Sequence, residues 1–235
     1  MRRMENMDWI VEVENVSKIY KMGEVRVPAL NGVKLRVKTG EFMTLMGPSG
    51  SGKTTLLHLI GALDRPTEGM VLIKGVEISR LDDDELAELR NREIGFVFQF
   101  FNLIPRMTAI ENVELPMTFA GVPLERRRKR AIVLLEKVGL RDRVNHRPTE
   151  LSGGEQQRIA IARALVNDPS LILCDELTGN LDTKTGQEIL KLLRELNKEQ
   201  NQTFVLVTHD PEVARSTDRV AYMQDGTIIK EELLR

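Results

Sequence analysis

Short apolar runs alternate along this chain with stretches of helical periodicity. Residues 10–16, 33–37 and 42–46 are β-rich, and Gly23, Asn31-Gly32 and Gly40 punctuate them. A helix is expected to start at Gly52-Lys53, carry Leu56, Leu57, Leu59 and Ile60, and stop before Pro66. Residues 70–73 and 95–98 read as further strands. From about 102 to 165 the periodicity turns helical, over 109–119, 124–138 and 154–166, with Pro and Gly at 105, 121, 123, 139 and 148 as dividers. Beyond Pro169 the alternation resumes. A strand at 171–174 precedes a helix with Ile189, Leu192, Leu193 and Leu196 on one face, then a strand at 204–207. Two last runs, 220–223 and 227–229, flank Asp225-Gly226, a two-residue hairpin signal. Strands alternating with helices predict an α/β fold with a mainly parallel sheet, interrupted by a helical insert.

Composition narrows the picture in a few places. With 235 residues there is length for a compact core plus an inserted or appended subdomain. The 34 basic and 35 acidic residues nearly cancel and aromatics are only 4 %, so neither charge nor stacking surface argues for nucleic acid. The one cysteine, Cys174, excludes an intramolecular disulfide and fits a reducing cytosol; its sequence neighbours include nothing basic to activate it. The first eight residues show no apolar stretch of signal-peptide length, and no run approaches the roughly 20 apolar residues of a membrane span. A membrane role is therefore expected to come through a partner.

The chemistry begins at Gly47-Pro48-Ser49-Gly50-Ser51-Gly52-Lys53-Thr54, which fits G-x-x-x-x-G-K-[ST] between an apolar strand and a helix. Its glycines let successive backbone N–H groups turn toward phosphate oxygens, and the helix adds its positive end. Lys53 is expected to reach the β- and γ-phosphates and the Thr54 hydroxyl to bind Mg²⁺. Downstream, Leu171-Ile172-Leu173-Cys174-Asp175 sets a carboxylate at a strand end, suited to the metal. Glu176 follows, on the other side of the chain if strand geometry persists, where it can act as general base on water. A third stretch, Leu151-Ser152-Gly153-Gly154-Glu155-Gln156-Gln157-Arg158, lies between loop and acids.

In this order the motifs resemble the nucleotide-binding cassette of ABC ATPases, over essentially the whole chain. The resemblance implies a P-loop NTPase cassette: a mainly parallel core sheet, an N-terminal antiparallel β subdomain and an inserted helical subdomain. One ABC ATPase domain is expected over 1–235, with core and β subdomain at about 1–98 and 167–235 and the helical insert at about 99–166. It further implies ATP and Mg²⁺ as ligands and a head-to-tail dimer. Ser152, Gly153, Gly154 and Glu155 would meet the ATP held by the partner's loop, residues 47–54 with Thr55. Tyr20, which on its own fits plain packing, matches the adenine-stacking aromatic. Gln99 matches the glutamine that reaches metal and attacking water, Asp182 belongs to the loop crossing the interface, and His209 matches the switch histidine beside Glu176. The catalytic set is thus Glu176, His209, Gln99 and Lys53, and the metal set Thr54, Gln99 and Asp175. His58 and His146 read as structural or solvated.

Two positions depart from the family pattern. Leu177 stands where related cassettes commonly carry proline, and Thr54 replaces the commoner serine with its hydroxyl kept. Residues 47–55, 98–105 and 108–113 look like the subgroup serving lipoprotein release and macrolide or peptide efflux. That implies a homodimeric, Mg-dependent ATPase on the inner face of the cell membrane, driving a separate permease. A cassette acting on a membrane partner in cell division or signalling, without transport, is the rival reading. DNA-repair and translation ABC proteins fit less well, because no long coiled coil lies between Gln99 and Ser152 and no second cassette follows. The run Arg126-Arg127-Arg128-Lys129-Arg130 reads as a solvated helix face, with a lipid or partner contact as the alternative.

Overall fold

The computed structural model describes residues 9–234, so the first eight residues, where no signal peptide is expected, lie outside it. Among the described residues two sheets form. One has the strands β1 (Trp9–Met22), β2 (Val25–Lys38), β4 (Glu68–Ile73) and β5 (Val76–Glu77) in the order β2-β1-β4-β5, all antiparallel. The other has the order β10-β9-β3-β8-β7-β6, made by β3 (Phe42–Met46), β6 (Ile94–Phe98), β7 (Leu171–Asp175), β8 (Thr203–Thr208), β9 (Arg219–Gln224) and β10 (Thr227–Leu233). It is parallel except for the β9–β10 hairpin, which turns at Asp225 and Gly226 with φ of 46° and 75°. Positive φ at both central residues gives the twist a tight hairpin needs.

Alternation along the central strands divides the core. Ile172 and Cys174 of β7, with Phe204 and Leu206 of β8, face one hydrophobic cluster; Leu171, Leu173, Val205 and Val207 face the other. That two-sided burial explains why these strands read as unbroken apolar runs. The first cluster is closed by α3 (Ala109–Phe119), α4 (Leu124–Lys137), α5 (Gly153–Leu165) and α6 (Thr183–Gln200). Phe42 and Phe204 meet edge to face at 5.4 Å within it. The second cluster lies between the two sheets, around α1 (Lys53–Ile60).

The structure adds elements that the pattern did not announce. A helix, α2 (Asp83–Glu93), precedes β6; its residues are mostly charged and Leu86 is the one it buries, but a capping box of Asp82 and Glu85 starts it. Strands β1 and β2 run far past their apolar segments, joined through Gly23 and Glu24. A short helix, α7 (Pro211–Arg215), follows β8. The basic run is not simply solvated: Arg128 pairs with Glu114 at 3.6 Å and Arg130 with Asp168. No helix among the described residues is long and apolar enough to cross a membrane.

Candidate functional site

Strand β3 delivers the chain to Gly47, and α1 receives it at Lys53. Between them the loop needs glycine for steric reasons. Gly52 has φ of 97°, and a Cβ there would lie 2.7 Å from the Ala29 carbonyl oxygen. The Lys53 ammonium donates to the carbonyls of Gly47 and Pro48, both at 2.8 Å. Burial pushes its pKa down, against the opposing pull of Glu176 and Asp175. A cleft of 660 Å³ opens beside this loop, lined by residues 48–55, by 27–29 of β2, and by Gln99, Glu176 and His209. A larger groove of 910 Å³ lies between α6 and α7 but holds no phosphate-type loop. Chemistry, not size, marks the first as the functional cleft.

The two acids reach the site differently from the expectation. Strand geometry does not persist past Asp175, because Glu176 turns into the left-handed region with φ of 48°. Its side chain therefore does not simply cross to the opposite face. Its Oε1 lies 2.9 Å from the His209 Nδ1 instead, and accepts from it in the tautomer that carries the proton there. Asp175 is half-buried and its Oδ1 has no hydrogen-bond partner. Burial pushes its pKa up; His58 opposes that, Glu176 adds to it, and Lys53 and the Thr54 hydroxyl oppose it again. An orphaned carboxylate oxygen next to a hydroxyl is a hard donor set that fits Mg²⁺. Among the described residues no cluster of three or more His, Cys, Asp or Glu could hold a metal by itself.

Gln99 follows β6, lines the cleft, and also leans on the loop after Glu176. A Cβ on Gly179 would stand 2.8 Å from its Nε2, and the Asn180 side chain donates to its backbone carbonyl at 2.9 Å. Tyr20 lies outside the cleft lining, on β1, with its hydroxyl donating to Asp64 at 3.0 Å and paired also with Thr55. Asp64 is anchored in turn by the Lys18 ammonium at 2.6 Å.

The remaining expected site residues stand apart from this cleft. Ser152 caps α5: its hydroxyl accepts from the Glu155 N–H at 3.3 Å, and the Glu155 carboxylate accepts from the Ser152 N–H at 2.8 Å. These capping bonds hold Glu155 below the usual carboxylate range. Gly153 faces Leu181 and Phe101, and Gly154 faces Thr185, so the start of α5 abuts the loop 176–182 rather than the phosphate loop of its own chain. Asp182 caps α6 through Thr185 at 3.0 Å.

Two further residues tie these parts together, and neither stood out beforehand. Gln157, wholly buried, donates from Nε2 to the Leu177 carbonyl at 2.9 Å. Arg163 donates to the carbonyls of Phe101 and Asn102, at 2.8 and 2.5 Å, which carry consecutive positive φ values of 58° and 51°. A polar residue at the spacing of the buried face, Gln157 with Ala160, Ile161 and Ala164, was the available signal for the first.

The model of the ABC transporter family matches residues 30–179. An uncharacterised ABC transporter ATP-binding protein of Thermotoga maritima is 59 % identical over 222 residues, 94 % of each chain. The macrolide export ATP-binding/permease protein MacB of Syntrophobacter fumaroxidans is 50 % identical over 224 residues, covering 94 % of this chain and 31 % of that protein. The cassette MJ0796 of Methanocaldococcus jannaschii is 54 % identical over 230 residues. Its dimeric post-hydrolysis structure with ADP and Pi superposes with a TM-score of 0.88 at 53 % identity, over 96 % of this chain and 99 % of that one.

Proposed function

Because this chain belongs to the ABC transporter family of ATP-binding cassettes, we propose that it is the ATPase subunit of a transporter, working as a head-to-tail homodimer closed over two ATP molecules. The observation that carries this reading is a site in two halves. Lys53, Glu176 and His209 share one cleft, while the capped helix end at Ser152 lies outside that cleft's lining. A second copy brings its own Ser152, with the amides of Gly153 and Gly154, to the γ-phosphate, where a helix N-terminus stabilises an anion. The structure of a related cassette as a dimer bound to ADP and Pi supports a nucleotide-binding dimer here. In this reading the helical insert at about 99–166 is the arm that carries Ser152, and the core with its β subdomain is the body that carries the phosphate loop.

Each side chain has a task in that closed site. The loop amides and Lys53 bind the phosphates, and Tyr20 offers its ring to adenine. Thr54, Asp175 and Gln99 would hold Mg²⁺, which supplies charge neutralisation at the β- and γ-phosphates when bound. Glu176 accepts a proton from the attacking water, and the 2.9 Å bond to His209 fixes its carboxylate for that step. Asp182, at the start of α6, sits on the loop facing the second copy. Loss of the γ-phosphate removes the group both subunits grip, so the dimer reopens.

The relative named as a macrolide export ATP-binding/permease protein supports a membrane permease partner; in our reading that partner is of export or lipoprotein-release type and this subunit sits on its cytoplasmic face. Purification of the tagged chain from membranes tests both levels. An integral-membrane protein that co-purifies and whose substrate stimulates ATP hydrolysis is the expected result. ATPase activity indifferent to any co-purified membrane protein would contradict coupling.

A further inference from the structure

Gln157 is a buried polar group for which the ATPase chemistry above has no use. It lies wholly inside the protein, on the α5 face that also buries Ala160 and Ile161. Burying an amide costs free energy unless its atoms are bonded. Only one side of this amide is: Nε2 donates to the Leu177 carbonyl, while Oε1 is buried with no hydrogen-bond partner. A leucine would fill the space without an unpaired oxygen, so what the amide supplies is one directed bond.

The position of that bond gives it consequence. Leu177 follows Glu176, a non-glycine residue in the left-handed region, a conformation held only where the surroundings impose it. The Glu176 N–H is held by the Val207 carbonyl at 3.0 Å, and its carbonyl by the Gly179 N–H at 2.9 Å. Gln157 holds the peptide between those points, and it does so from the helix that Ser152 opens. On the far side of the loop Asn180 is tied to Gln99 at 2.9 Å, so a displacement at Leu177 is passed along the loop rather than absorbed at a free end.

We propose that Gln157 is a positioning residue that keeps Glu176 in register with the helix opened by Ser152, and so links the two ATP sites of the dimer. The proposal rests on the two-subunit reading above and extends it. There, Glu176 serves the ATP on its own phosphate loop while Ser152 serves the ATP on the partner's. A shift of α5 as Ser152 engages one γ-phosphate therefore moves, through Leu177, the base that serves the other.

Two substitutions test this. Gln157→Leu keeps the bulk and removes the donor. Gln157→Glu keeps the shape and donates only while its carboxyl is protonated, a state that burial favours. ATP hydrolysis is measured against ATP concentration for the wild type and both variants, with melting temperature and nucleotide affinity alongside. Gln157→Leu should fold and bind nucleotide normally, lose about tenfold in kcat, and show a Hill coefficient falling from about 2 toward about 1. Gln157→Glu should recover kcat as pH falls from about 8.5 to about 6.5, a recovery absent from Gln157→Leu. Wild-type kcat and cooperativity in Gln157→Leu would overturn the proposal, as would a kcat loss that tracks nucleotide affinity, or a Gln157→Glu profile parallel to wild type. Two variants that fail to fold would make Gln157 a packing residue and overturn it equally. Failure of the wild type to dimerise or hydrolyse cooperatively is a separate result, and would sink the two-subunit reading instead.

Discussion

Replacing Glu176 by glutamine is the sharpest perturbation of the chemical step, because the change is nearly isosteric and its surroundings are defined. The His209 Nδ1 lies 2.9 Å from Oε1, and with its proton on Nδ1 it can donate to an amide oxygen as well as to a carboxylate. The side chain therefore keeps its place and loses only its basicity. General-base catalysis is worth about 10²–10⁴ in rate. At 1.36 kcal/mol for each tenfold, that raises the barrier by about 2.7–5.4 kcal/mol. Binding should change far less, because the phosphate-loop amides are untouched and Asp175 still favours the charged form of Lys53. Phosphate release at saturating Mg-ATP, nucleotide affinity at equilibrium, and gel filtration with ATP together measure the effect. The expected variant binds ATP within about tenfold of wild type, turns over at least about 100-fold more slowly, and accumulates as a dimer. Turnover within about threefold of wild type would refute the assignment of Glu176 as base, and a monomer in ATP would refute the dimer it is meant to trap.

Other substitutions probe the remaining parts. Ser152→Arg should abolish ATP-dependent dimerisation in gel filtration while single-subunit nucleotide binding persists; loss of the helix cap should cost about 1 kcal/mol in denaturant unfolding. Phe204→Ala, at a fully buried position against Phe42, should cost about 3–5 kcal/mol of stability by the same measurement. Asp64→Asn tests a pH effect. Burial pushes the Asp64 carboxyl up, but the Lys18 ammonium, the Arg65 N–H and the Tyr20 hydroxyl outweigh it, and the folded value falls below the ordinary 3.8. The carboxylate thus contributes stability above about pH 4 that is lost as pH falls through the folded value. Melting curves of wild type and Asp64→Asn should differ at neutral pH and converge in acid.

Local rules make much of this protein legible in its sequence. The apolar run 171–174 and the loop at 47–54 each lie within one strand–turn–helix context, and Asp225-Gly226 needs only its own two dihedral angles. What stayed hidden depends on distant partners or on weak local contrast. Helix α2 buries only Leu86, so its apolar periodicity is faint, although Asp82 and Glu85 had the spacing of a capping box. The outer half of β1 carries Lys18, Tyr20 and Lys21 because it pairs antiparallel with a half-exposed partner. The left-handed turn at Glu176 follows from contacts with Val207 and Gly179, and the Gln157 and Arg163 bonds reach residues 20 and more than 60 positions away. No window along the chain contains those relations. Residues 48–55, Gln99, Glu176 and His209, which line the cleft, were thus legible by type and order, while the hydrogen bonds that orient them were not.

The central claim is that Ser152 of one copy meets the phosphate loop of the other. Cysteine crosslinking tests it with little background, since Cys174, the single natural cysteine, is fully buried and its thiol pKa is pushed far up by burial and by Asp175. Ser49→Cys and Ser152→Cys chains are purified separately, mixed, and oxidised with and without a slowly hydrolysed ATP analogue. A disulfide-linked dimer that forms only in the mixture, and only with nucleotide, is the predicted result. Crosslinks in either chain alone, or none in the nucleotide-bound mixture, would contradict the head-to-tail site.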